Sequence, residues 1–349
     1  MKKSSKTILC SVLAAGLAIS SATGAFAATE HFNDATKDSA WSGWEQQWAS
    51  SVSTDYQQVS LTPGKNETEL NFGWYSKTGA VATPVVRLAT KEDMSDAKTF
   101  TGTTSPAIDG YISNKVTVSG LKENSTYYYT YQVNGVESKP VKYATKSFSS
   151  FKMLFFGDPQ IGASKGQTVS TGNELENKSA LNTAARNDAF NWNKSLNIAL
   201  KSNPDVSFAL SAGDQINKNV NGTDPGNEME YAGYLYPAAL KSLPVATTIG
   251  NHDATNKSYS FHFNNPNAFT QETSPSVAGN GYYYTYGNAL FVVLNTNNYN
   301  CADHEALLKK ATEENPNTRW RIVMFHQDIY GSGLDHSESD GMVLRTQLT

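Results

Sequence analysis

The sequence predicts two folded units in series: an antiparallel β-sandwich over residues 55–146, then over 150–349 an α/β domain, a mixed, mostly parallel β-sandwich flanked by helices. Three observations carry this. From Tyr56 to Thr145 short segments rich in Val, Tyr and Thr alternate with the turn signals Pro63-Gly64, Lys77 to Gly79, Asp109-Gly110 and Asn134-Gly135, the texture of a sandwich. Beyond Thr145 apolar runs of strand length alternate with helix-length stretches, the βαβ order of a largely parallel sheet. Several of those runs stop at a glycine followed by Asp or Asn, at the strand end where α/β sheets bind ligands.

The chain opens with Lys2, Lys3 and Lys6, an apolar stretch from Ile8 to about Ile19 and the small-residue site Ala25-Phe26-Ala27. Residues 1–27 therefore read as a secretory signal peptide whose core is too short for a permanent membrane span, and the expected location is extracellular. Its removal takes three of the 28 basic residues and none of the 32 acidic ones, moving the formal net charge from −4 to −7. Nucleic acid and anionic membrane are disfavoured as partners by that balance. Cys10 leaves with the signal, so Cys301 has no partner for an intramolecular disulfide and is read as a buried small apolar residue. Stability must then come from core burial.

Residues 28–54 are polar, with Trp41, Trp44 and Trp48 but no clear period, and read as a leader packed on the sandwich or as a flexible linker. Strands are predicted at Glu69 to Tyr75, Val85 to Ala89, Lys115 to Val118 and Tyr127 to Val133. The sandwich is either a spacer or a ligand-binding or cell-wall module. In the second unit, Met153 to Phe156 is expected to be a strand buried on both faces, Asp188 to Lys201 a helix, Val206 to Ser211 a strand, and Glu228 to Lys241 a second helix. Val245 to Ile249 is the next strand; Tyr282 to Tyr286 and Leu290 to Leu294 form a hairpin around Gly287-Asn288; Cys301 to Glu314 is helical and Trp320 to Phe325 a last strand. Segments 165–184 and 259–269 read as loops that frame a cleft or as surface insertions.

Four strand ends present polar side chains: Asp158 with Gln160; Asp214; Asn251 with His252 and Asp253; and His326. Gly157, Gly213 and Gly250 precede three of them and would let the backbone turn without a Cβ clash. Oxygen donors from Asp and Asn with nitrogen from His suit zinc or first-row metal ions, and converging carboxylates need such cations to offset their repulsion. His31, His262 and His304 fall outside this pattern and read as surface or core residues.

The motifs GDPQ (157–160), AGDQIN (212–217), GNHD (250–253) and VMFHQDIY (323–330), in this order and spacing, resemble the calcineurin-like metallophosphoesterases. Within that family the likeness is to secreted purple acid phosphatases, which join a fibronectin type III-like sandwich to the catalytic domain. The segment GLKENSTYYYTYQV, with Leu121 six residues before Tyr127, has the look of the tyrosine corner of such sandwiches. The resemblance implies that Asp158 binds one of two metal ions, Asp214 bridges both, and Asn251 and His326 bind the second. It places His252 beside the phosphoryl oxygens with Asp253 orienting its ring, and His336, ten residues past His326, near the substrate. It also implies a metal-bound hydroxide as nucleophile, with His252 or His336 protonating the leaving oxygen.

The chain departs from that family at three points. Asn217 stands where purple acid phosphatases carry the tyrosine that colours their iron, so a colourless holoenzyme is expected. Gln160 stands where many members carry histidine. Neutral oxygens from Gln160 and Asn217 beside the carboxylates would favour a divalent ion such as manganese, iron(II) or zinc. The closing Gly-His-x-His is not found before Thr349, so a C-terminally incomplete domain, with weak metal binding and little turnover, is expected. The function implied is secreted hydrolysis of small phosphate monoesters. The alternatives are a phosphodiesterase or nucleotide hydrolase, and a non-catalytic surface or carbohydrate-binding protein with a degenerate site.

Overall fold

The computed structural model describes residues 33–80, 82–177, 182–217, 225–330 and 340–348. The segment read as a signal peptide, His31 and His336 lie outside the described residues. The strands, in chain order, are β1 (Ser60–Pro63), β2 (Glu69–Lys77), β3 (Val85–Ala89), β4 (Lys98–Thr101), β5 (Thr103–Pro106), β6 (Tyr111–Ser119), β7 (Thr126–Val133), β8 (Val136–Glu137), β9 (Val141–Ala144), β10 (Lys152–Phe156), β11 (Val206–Ser211), β12 (Val245–Thr247), β13 (Tyr282–Tyr286), β14 (Ala289–Val293) and β15 (Trp320–Met324). The α-helices are α1 (Trp41–Gln47), α2 (Thr183–Ser202), α3 (Pro225–Leu235), α4 (Ser258–His262), α5 (Cys301–Glu314) and α6 (Asp340–Leu348).

β1-β2-β6-β5 and β4-β3-β7-β8, with β9 on β7, form the two sheets of the N-terminal sandwich. Alternating residues of both sheets, among them Leu61, Phe72, Trp74, Val86, Val116 and Tyr129, fill its core. The corner expected at Tyr127 forms: its hydroxyl accepts the Lys122 N–H at 2.8 Å.

The outer face of β1-β2-β6 is committed to the second domain. Ser60, Thr62, Ser113 and Lys115 donate to the carbonyls of His262, Asn264, Phe261 and Phe263 at 2.5–2.9 Å. Gly73 permits this approach, since a Cβ there would lie 2.2 Å from the His262 carbonyl oxygen. Segment 259–269 thus includes α4 and supports the sandwich instead of framing a cleft. At the centre His262 pairs with Glu228 at 2.7 Å, both buried, and stacks on Tyr75 of the sandwich.

In the second domain β10-β11-β12 run parallel, and β13-β14-β15 combine an antiparallel hairpin with a parallel pair. The two sheets meet through Phe208, Leu210 and Ala246 on one side and Tyr282, Tyr284 and Phe291 on the other. α2 and α3 cover the opposite face of the first sheet through Trp192, Leu196 and Tyr234. α5 covers the second through Leu307 and Ala311. No helix among the described residues is long and apolar enough to cross a membrane.

Several expectations are corrected. The leader docks neither on the sandwich nor as a free linker: α1 presents Trp41 and Trp44, with Trp48 after it, to α2 and α3, and Trp44 Nε1 donates to the Arg186 carbonyl at 2.8 Å. The Met153–Phe156 strand is not buried on both faces. β10 pairs with β11 alone among the described strands, and Phe155 is 65% exposed. The helix expected over 228–241 is two elements, because Pro237 interrupts it: α3 ends at Leu235 and a 3₁₀ turn spans Ala238–Lys241. Helix α2 begins earlier than expected, capped by Asn182, whose side chain accepts the Ala185 N–H. Cys301, at the first turn of α5, is exposed. His262 and His304 are core residues, 1% and 3% exposed.

Candidate metal centre

The parallel strands deliver their C-terminal ends to one edge of the domain. Asp158 follows β10, Asp214 follows β11, Asn251 follows β12 and His326 follows β15. Asp158, Asp214 and His326 each offer a ligand atom within 4.8 Å of the others. His326 Nε2 lies 3.5 Å from Asp214 Oδ2 and 2.8 Å from Asn251 Oδ1, and its Nδ1 lies 3.8 Å from Asp158 Oδ1.

The tautomer of His326 sharpens this geometry. Its Nδ1 is 2.9 Å from the Ala212 carbonyl, an acceptor only, so Nδ1 carries the proton. The lone pair on Nε2 then faces the oxygens of Asn251 and Asp214, an arrangement of converging lone pairs that a cation satisfies. Two donors on one ion with bonds of about 2.1 Å stand at most about 4.2 Å apart. The separations from Nε2, 2.8 Å to Asn251 Oδ1 and 3.5 Å to Asp214 Oδ2, lie inside that limit. The residues present therefore fit a metal ion.

Backbone conformation at the site is costly. Asp214 has φ of 46° and Gln160 of 37°, left-handed values that non-glycine residues seldom adopt. Hydrogen bonds hold both: Gln160 N–H donates to the Asp214 carbonyl at 2.7 Å, and Asp214 Oδ1 accepts the His252 N–H at 2.9 Å. The three glycines differ in their reasons. Gly213 has φ of 113°; Gly250 lies so close to Asp214 that a Cβ would sit 2.0 Å from Oδ1; at Gly157 a Cβ would meet nothing within 4 Å. A steric need for glycine is thus found at two of the three positions.

Burial raises the Asp158 carboxyl above its ordinary range; the attraction of His326 partly offsets this and the Asp214 charge adds to it. Asp253 is fully buried, and burial followed by the Asp214 charge pushes its carboxyl well up. Its expected role is corrected. Asp253 Oδ2 accepts the Gly250 N–H at 3.0 Å and Oδ1 accepts the Tyr231 hydroxyl at 3.1 Å, while the His252 ring is held through Nδ1 by the Asn217 carbonyl at 2.5 Å. Asp253 therefore shapes the loop, and Asn217 orients the ring. Gln160 and Asn217 do come together, Gln160 Nε2 donating to Asn217 Oδ1 at 3.4 Å.

Sequence reasoning misses the residues behind the ligands. Glu230, wholly buried, accepts the Asn217 N–H at 3.2 Å and the Asn182 amide at 3.3 Å. Thr296 and Asn297, after β14, bond Gln327 next to His326. The run of amides from Asn295 to Asn300 directly after an apolar strand marks a further strand end and was the available signal. Beside Asp158 a pocket of about 320 Å³ is lined by Gln160, Gln167, Asp188 and Asn191 among others.

Fold and site together define a β-sandwich followed by an α/β domain whose strand ends carry a cluster that could hold a metal ion. Residues 151–345 match the calcineurin-like phosphoesterase model, and the chain belongs to that family. Residues 56–149 match the purple acid phosphatase N-terminal domain. Among solved structures the chain is similar to purple acid phosphatase PPD1 from seeds of yellow lupin, Lupinus luteus, with 16% identity and a TM-score of 0.54 over 81% of this chain and 53% of that one. It is also similar to a structure of PhoD, with 15% identity and a TM-score of 0.44 over 70% and 52%. The chain thus spans about half the length of each. Comparison with curated proteins finds no match.

Proposed function

We propose that the protein is an exported, metal-dependent hydrolase of small phosphate monoesters with a dinuclear centre. The observation that supports this most is the convergence of Asp158, Asp214 and His326, with Asn251 against His326, at one sheet edge. Asp158 and Asp214 would hold one ion, and Asp214, Asn251 and His326 the other. Such ions supply neutralisation of phosphoryl charge and a water of lowered pKa; manganese, iron(II) and zinc all suit the donors.

The chain's own residues do the rest. His252 carries its Nδ1 proton toward the Asn217 carbonyl, which turns Nε2 toward the site, 3.9 Å from Asp214 Oδ2. With 27% of its side chain exposed, that nitrogen can reach a bound ester and, in the imidazolium form that also carries a proton on Nε2, pass that proton to the leaving oxygen. The amide-lined pocket beside Asp158 offers hydrogen bonds to a polar leaving group. Export rests on the pattern of residues 1–27.

The test is turnover of a nitrophenyl phosphate monoester beside the corresponding diester, with manganese, iron(II) or zinc and after chelation. Chelator-sensitive cleavage favouring the monoester is expected. Preference for the diester would assign a phosphodiesterase, and the same cleavage by Asp214→Asn would refute the proposed site.

A further inference from the structure

We propose that Asn297, in the loop between β14 and α5, is a positioning residue that sets the spacing of Asn251 and His326. The proposal rests on the metal-centre reading above and deepens it. β12 and β15, which carry these two side chains, belong to different sheets, so no ladder hydrogen bond fixes one strand end against the other. Asn297 spans that gap. Its Nδ2 donates to the Ile249 carbonyl at 3.0 Å, two residues before Asn251, and its Oδ1 accepts from Gln327 Nε2 at 3.1 Å, one residue after His326.

The bridge is itself fixed. Asn295 Oδ1 accepts from both Asn297 Nδ2 and the Asn297 backbone N–H, at 3.1 and 3.3 Å, and the Thr296 hydroxyl donates to Gln327 Oε1. Gln327 is 5% exposed, so losing its partner would leave a buried amide unpaired. An amide side chain is suited to the place because one end must donate to a carbonyl while the other accepts from an amide. Groups hydrogen-bonded directly to metal ligands change metal affinity about 10- to 100-fold when removed; Asn297 acts one step further out, through Ile249 and Gln327, so the lower end of that range is expected.

The experiment uses the full chain and two readouts: amide hydrogen exchange of the metal-free protein over segments 247–253 and 323–327, and calorimetric titration with manganese. Asn297→Ala and the volume-preserving Asn297→Leu are compared with Asn300→Ala, which removes the cap on the Ala302 N–H at the start of α5 and serves as a stability control. Both Asn297 variants should exchange about tenfold faster in the two segments and bind manganese about tenfold more weakly. Asn300→Ala should lower Tm and leave both readouts near wild type. Exchange and affinity in the Asn297 variants equal to those of Asn300→Ala would overturn the proposal. If the wild type binds no manganese, the metal-centre reading fails, and the exchange comparison alone decides whether Asn297 ties the two loops.

Discussion

Gly157 and Gly250 occupy the same place in the sequence pattern, directly before a candidate ligand, yet alanine at each should act in opposite directions. In Gly250→Ala the new methyl would stand 2.0 Å from Asp214 Oδ1, 2.3 Å from its backbone nitrogen and 2.7 Å from its Cγ. Relaxed contacts need about 3.5 Å, so Asp214 or the loop must shift by about 1–1.5 Å. Asp214 has little room to yield, because its Oδ1 holds the His252 N–H and its carbonyl holds the Gln160 N–H. Overpacking of this kind costs about 1–3 kcal/mol, and a displacement of about 1 Å at a preorganised site can cost about 100-fold in function. In Gly157→Ala the methyl enters open space at a φ outside the left-handed range, and the loss of unfolded-state freedom should stabilise by about 0.4–1 kcal/mol. The two variants should therefore lie about 1.4–4 kcal/mol apart. Thermal unfolding followed by circular dichroism, with metal titration of each folded variant, makes the comparison. Equal Tm and equal metal affinity in the two would refute the reasoning that Gly250 is required by contact with Asp214.

Glu272 is 8% exposed, and burial moves its carboxyl up from 4.5 to about 7 against the opposing hydrogen bonds from Gly281 N–H and the Asn280 amide. The native state then holds the extra proton between those values, so stability present below about pH 4.5 should be lost as pH rises through about 7. The loss is bounded by about 3.4 kcal/mol and reduced by solvent screening, and Glu272→Gln should flatten that part of a urea-denaturation pH profile. His262→Phe strands the Glu228 carboxylate in the interface with, among the described residues, the Tyr75 hydroxyl at 3.3 Å as its remaining side-chain partner, and should cost about 3–5 kcal/mol in equilibrium unfolding. The double variant with Glu228→Leu should recover much of that loss; no recovery would show that the pair is not the source. Removing bound metal with a chelator should lower Tm, by the equivalent of about 2.7 kcal/mol when the ion is supplied at about 100 times its Kd; an unchanged Tm in a differential scan would count against metal linkage.

The meeting of Asp158, Asp214, Asn251 and His326 is legible in the sequence because each follows an apolar run at a strand end, and parallel strands bring those ends to one edge. What the side chains bond to is not legible. Asp253 sits beside His252 in the chain, but the fold turns its carboxylate inward to Tyr231 and Gly250, and a carbonyl from another loop takes the ring. The exposed side of Phe155 depends on which strands flank β10, a tertiary fact that an apolar run cannot encode. The destination of Trp41, Trp44 and Trp48 likewise depends on α2 and α3, far away in sequence. Pro237 is a local signal that did carry the answer: it is incompatible with one continuous helix from 228 to 241.

Anomalous diffraction from crystals of the full chain grown with manganese tests the central claim most directly. The account predicts peaks bounded by Asp158, Asp214, Asn251 and His326, with Asp214 between two ions about 3.5–4 Å apart. Manganese bound elsewhere, with only solvent among those four side chains, would contradict it.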